Sequence, residues 1–104
     1  MPTINAQVPT AEASRLIQRL CKHFRHKIDA EWDAHQGRLH FSIGECRLDA
    51  EPDALHLRCD AASADELAEL GEVVASHLVR FAGDSVESVE WQAASSIQRP
   101  PSNS

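Results

Sequence analysis

The sequence predicts an α+β fold, a two-layer β-α-β-β-β-β-α-β domain in which one antiparallel sheet carries two helices packed on one face. Three observations point there. Four successive segments between Ile28 and Cys59 alternate apolar and polar residues with period two; two longer segments repeat apolar residues every three to four positions; and turn-forming residues separate the pieces.

In chain order, Ile4, Ala6 and Val8 alternate with polar residues and stop at Pro9, the pattern of a short first strand. Thr10 is then expected to cap a helix reaching about Lys27, with Ala13, Leu16, Ile17, Leu20, Cys21 and Phe24 as one apolar stripe. The next four strands point Ile28/Ala30/Trp32, Leu39/Phe41/Ile43, Cys46/Leu48/Ala50 and Leu55/Leu57/Cys59 inward. Their expected turns are Ala34-His35-Gln36-Gly37, Gly44-Glu45 and Glu51-Pro52-Asp53-Ala54, the middle one a Gly-X pair suited to a tight hairpin. Each loop is even in length, which pairs Asp33 with Arg38, Ile43 with Cys46 and Ala50 with Leu55 and keeps all four apolar sets on one face.

Ser63-Ala64-Asp65-Glu66 has the form of a capping box, and Leu67, Leu70, Val74, Leu78 and Phe81 follow as the stripe of a second helix ended by Gly83. Val86, Val89 and Trp91 suggest a last strand. Residues 1–92 therefore read as one domain, and residues 93–104, AASSIQRPPSNS, have the small, polar, proline-containing composition of a disordered tail.

A chain of 104 residues buries enough surface for one core without staples. Its formal charge of −6 argues against binding nucleic acid or anionic membrane through the whole surface. The start, MPTINAQVPT, lacks the charged and apolar runs of a signal peptide, and no apolar stretch approaches the ~20 residues that span a bilayer. A cytoplasmic protein with Cys21, Cys46 and Cys59 reduced is the expectation.

Five of the ten Lys and Arg residues lie between Arg15 and Lys27. Lys22, His23, His26 and Lys27 are the part of this segment suited to gripping an anion. The second helix offers a competing explanation in its acidic residues Asp65, Glu66, Glu69 and Glu72, which an antiparallel alignment would set against the basic stripe. That alignment places His77 beside Leu16, too far along the helix from His23 at ~1.5 Å per residue to leave a shared histidine site. His23 and His26 alone are two ligands where structural zinc takes four, so no metal is assigned.

The register also predicts neighbours on the polar face of the sheet. Glu31 faces His40, His40 faces Asp49 and Asp49 faces His56, an acid–His–acid–His row suited to proton transfer or a divalent cation. One row over, Arg47 lies opposite Arg58, a like-charge pair that a carboxylate or phosphate would relieve. Cys46 lies opposite Cys59 on the inward face, where neither serves as an exposed nucleophile. No catalytic residue and no cofactor is assigned.

Three stretches carry a resemblance: LCKHFRHK at 20–27, GRLHFSIGECRLDA at 37–50, and HLVRFA at 77–82 with Val89-Glu90-Trp91 after it. In them the chain resembles an uncharacterised bacterial domain-of-unknown-function family, number twenty-two eighteen, along nearly its whole length. The resemblance implies a small α+β protein, sometimes associated with siderophore-interacting flavin reductases, and thereby a link to iron or siderophore handling. The expected function is a non-enzymatic binding or accessory domain for a small anionic or chelated ligand, with such a reductase as a partner and a homodimer among the assemblies open to it. The alternative is a small enzyme or metal-binding protein using His40, Asp49 and His56, with Glu31 as an extra ligand or base.

Overall fold

In the computed structural model, which describes residues 2–83, 86 and 89–93, the elements follow the predicted order. They are β1 (Thr3–Pro9), α1 (Ala13–Phe24), β2 (Asp29–Trp32), β3 (Gln36–Phe41), β4 (Gly44–Ala50), β5 (Ala54–Ala61), α2 (Ala64–Ala82) and β6 (Gln92–Ala93). The sheet is antiparallel throughout, in the order β2-β3-β4-β5-β1-β6. β1 finds its place beside β5 because its apolar set meets that strand's own: Ile4 pairs with Cys59, Ala6 with Leu57 and Val8 with Leu55.

Both helices cover the apolar face. Leu16, Ile17, Leu20, Cys21 and Phe24 of α1 and Leu67, Leu70, Val74 and Leu78 of α2 are buried against Leu39, Cys46, Leu48, Leu55, Leu57 and Cys59 of the sheet. Each fully buried leucine or isoleucine contributes on the order of 1.5–3 kcal/mol relative to an exposed one. α2 begins as the sequence predicts: the Ser63 hydroxyl accepts the N–H of Glu66 at 3.2 Å and donates to Glu66 Oε1 at 3.3 Å. It ends at Gly83, whose φ of 63° is the left-handed region that glycine adopts without strain.

α1 is shorter than expected at both ends. Thr10 does not cap it; its N–H donates to the carbonyl of Asp53 and its hydroxyl accepts from the N–H of Glu12, both at 3.0 Å, which ties the approach to α1 onto the β4–β5 turn. Glu12 takes the cap position with no side-chain cap bond. At the other end the N–H groups of Lys27 and Ile28 both donate to the carbonyl of Phe24, which turns the chain into β2. The final strand also differs from expectation. Val86 is buried and Val89 and Trp91 pack on the core, but the residues that pair with β1 are Gln92 and Ala93. The tail from residue 94 lies outside the described residues.

The expected β4–β5 register holds, with Ala50 on Leu55 and Cys46 on Cys59. The other two shift by even numbers of residues. β2 pairs Glu31 with Arg38 rather than with His40, because Asp33 turns the chain early: its Oδ1 accepts the N–H groups of His35 and Gln36, each at 2.8 Å. The β3–β4 turn is Ser42-Ile43, not Gly44-Glu45, so Leu39 and not Ile43 lies opposite Cys46.

Gly44 sits inside β4 because a Cβ there would stand 2.2 Å from the Asp60 carbonyl oxygen. Gly37, expected in a turn, lies in β3 under α1, where a Cβ would meet Cys21 Sγ and Ile17 Cγ2 at 2.9 Å. Gly37→Ala presses on side chains that can shift and is expected to cost about 1–3 kcal/mol in denaturant unfolding. Gly44→Ala presses on backbone and should cost more; equal midpoints for the two variants would contradict this account.

Candidate anion-binding face

Alternation sends every second strand residue away from the helices, and none of the described elements covers the face they form. Three rows cross it. Glu31, Arg38, Arg47, Arg58 and Asn5 are successive partners on β2, β3, β4, β5 and β1. Asp29, His40, Glu45, Asp60 and Thr3 form the second row, and Gln36, Asp49, His56 and Gln7 the third.

The acid–His–acid–His row of the sequence reading therefore divides. Asp49 does face His56, but His40 faces Glu45, and the four-residue separation along the strands puts His40 roughly 13 Å from Asp49. His40 lies between two carboxylates, its Nδ1 3.1 Å from Glu45 and its Nε2 3.9 Å from Glu31. Among the described residues no group of three or more His, Cys, Asp and Glu side chains is placed to hold a metal ion. The arrangement needed for His40, Asp49, His56 and Glu31 to act together is absent.

The arginine row, in contrast, is longer than expected. Arg47 faces Arg58 as the sequence indicates, and Arg38 stands on its other side, in the place the expected register gave to Ser42. The two outer arginines have acidic companions: Arg58 Nε is 3.6 Å from Asp60 and Arg38 Nε 4.0 Å from Glu45. The Thr3 hydroxyl donates to the other oxygen of Asp60 and fixes that carboxylate. Arg47, exposed between two like charges, has no ion pair among the described residues. Arg38 and Arg47 border a cleft of about 270 Å³ whose other walls include Trp32, Asp33 and Asp49. Arg38 was missed because a four-residue slip kept it on the correct face and changed only its neighbour.

The basic segment on α1 is used piecemeal. Arg15 pairs with Glu12 at 3.1 Å, Arg19 Nη1 donates to the Phe81 carbonyl at the end of α2 at 3.2 Å, and the Arg25 guanidinium lies 5.9 Å from the centre of the Trp32 ring. No ion pair joins α1 to α2 among the described residues, so the expected match with Asp65, Glu66, Glu69 and Glu72 does not form. The helices are antiparallel neighbours but displaced along each other, and His77 lies against His23, not Leu16. Lys22, His26 and Lys27 remain exposed.

The model of an uncharacterised protein family conserved in bacteria, DUF2218, matches residues 5–92. The NMR structure of PA4090 from Pseudomonas aeruginosa is similar, with 36% sequence identity and a TM-score of 0.75 over 88% of this chain and 96% of that one. No curated protein matches.

Two outcomes follow from the site's chemistry. All three cysteines are unpaired and buried; burial pushes the Cys21 thiol up to about 11, and the hydrogen bond with Cys59 followed by burial raises Cys46 well above its ordinary value. A disulfide reagent at neutral pH should leave the native thiols unmodified and label them on unfolding; rapid labelling of the folded protein would refute their burial. At the cleft, hydrogen bonds from the N–H groups of His35 and then Gln36 hold Asp33 below its ordinary 3.8. A depressed carboxylate stabilises the fold fully above its unfolded value and ceases to as pH falls through the folded one. Asp33→Asn should therefore flatten the fall in stability below about pH 3.8, and an unchanged acid limb would show that the turn does not depend on the charge.

Proposed function

Because the chain belongs to this bacterial family of unassigned activity, we propose that it is a non-enzymatic binding domain that takes a small, multiply anionic ligand on its open sheet face. Arg38, Arg47 and Arg58 carry the recognition. The supporting observation is the position of Arg47, aligned between two arginines and lacking the carboxylate that each of them has. Like charges directly opposite one another destabilise a sheet, and a ligand carboxylate or phosphate bridging Arg47 to a neighbour removes that cost while making paired, charge-assisted hydrogen bonds. The cleft beside Arg38 and Arg47 has room for a ligand of a few heavy atoms.

A carboxylate-type metal chelate fits this charge pattern better than a bare cation, which three guanidinium groups repel. The resemblance to domains found with siderophore-interacting flavin reductases supports an anionic ferric chelate as the ligand and such a reductase as the partner. The unpaired thiols support a reducing compartment, the cytoplasm.

The enzymatic or metal-binding reading keeps only His40 between Glu31 and Glu45, and Asp49 beside His56, as separate groups on the sheet. Titration of citrate, ferric citrate and phosphate into isotope-labelled protein distinguishes the readings. Saturable shifts should centre on Arg38, Arg47 and Arg58 and weaken with salt, and Arg47→Gln should lower affinity roughly tenfold, the equivalent of losing one charge-assisted contact. No saturation below millimolar, or full affinity in Arg47→Gln, would remove the arginine row from consideration.

A further inference from the structure

The seam between the helices brings together two histidines that the sequence keeps 54 positions apart, His23 on α1 and His77 on α2, with ring centres 5.0 Å apart. Phe24 and Phe81 pack around them: the ring centres of His23 lie 5.1 Å from Phe24 and 5.3 Å from Phe81, and those of His77 and Phe24 are 4.8 Å apart. Both imidazoles are half-buried. Aromatic packing alone accounts for the proximity, but not for the hydrogen-bonding state.

His77 Nδ1 lies 2.8 Å from the carbonyl oxygen of Val73, an acceptor only, so this nitrogen carries the proton and Nε2 of the neutral ring holds a free lone pair. An imidazole whose far N–H is anchored on a backbone carbonyl is the usual outer-shell arrangement of a metal-ligating histidine. His23 makes no hydrogen bond among the described residues, which leaves its ring nitrogens available. Partial burial and then His77, Lys27, His26 and Arg80 all push its pKa down, which favours the uncharged ring. In the uncharged form each ring offers one lone pair to an electrophile, that of His77 at Nε2 because its Nδ1 proton is engaged by Val73. Two imidazoles sharing one tetrahedral ion at ~2.0–2.1 Å place their ring centres roughly 5 Å apart, and rotation about the metal–nitrogen bond leaves the interplanar angle free.

We propose that His23 and His77 together form a binding site for a borderline divalent transition-metal ion of the zinc(II) or copper(II) class, formed across the α1–α2 seam. Imidazole suits these ions, and with no third His, Cys, Asp or Glu in the cluster among the described residues the remaining positions are open to water or an exchangeable ligand. Lys27 and Arg80 oppose the ion's charge, so the affinity is that of an exchangeable site and not of a structural one. This site is separate from the arginine face, on the other layer of the molecule.

Zinc(II) titrated into histidine-labelled protein near neutral pH tests the assignment. Bound ion should shift the ring nitrogens of His23 and His77 together, with His77 Nδ1 keeping its proton. His23→Gln and His77→Gln should each lower affinity by at least about tenfold, whereas His26→Gln should change it by less than about twofold. Lys27→Ala should tighten binding, the opposite of its effect on an anion site. Undiminished affinity in His23→Gln, a loss in His26→Gln as large as in His23→Gln, or weaker zinc binding in Lys27→Ala would each overturn the proposal. His23 is half-exposed, so its variant retains the fold even where loss of His77 disturbs the packing on Phe24.

Discussion

The approach of Gly44 to the backbone of β5 governs the rest of the sheet. With only 2.2 Å between a notional Cβ and the Asp60 carbonyl oxygen, no other residue enters β4 at that point without moving the strand beside it. Gly44 is thereby fixed within the ladder, opposite Ala61 on one side and Phe41 on the other, and Ser42-Ile43 is left as the turn. That turn sets which residues of β3 lie beside which residues of β4. The alignment of Arg38 with Arg47, and of His40 with Glu45, is a consequence of one missing side chain at the start of β4.

The sequence makes the faces of these strands legible and their neighbours much less so. Side chains alternate with period two, so a slip of two residues at β2–β3 or of four at β3–β4 leaves every apolar residue pointing at the helices. The burial of Leu39, Cys46, Leu48, Leu55, Leu57 and Cys59 is therefore predictable while the partner of His40 is not. The β4–β5 register was readable because Pro52 and Asp53 fill a turn closed by mutual hydrogen bonds between Glu51 and Ala54. Gly44-Glu45 looks equally suited to a turn, and nothing local in the sequence reveals the Asp60 carbonyl that excludes it.

The helices obey the same logic on a different period. Setting His77 beside Leu16, as charge matching suggests, differs from the observed His77–His23 contact by seven residues along α1, almost two full turns. A slide of two turns returns the same stripe to the sheet, so the buried residues of both helices are insensitive to it. What selects the observed position is aromatic and polar contact at one end: Phe24 packs on Phe41 and His77, and Arg19 satisfies a carbonyl of the last turn of α2. Surface charge pairs contribute little enough that the acidic face of α2 is left to solvent.

The edges of the sheet carry a consequence for self-association. The described sheet ends on one side in β2, four residues long and bearing Asp29 and Glu31, and on the other in β6, two residues long. Short, charged margins blunt strand-by-strand extension and the aggregation that follows from it.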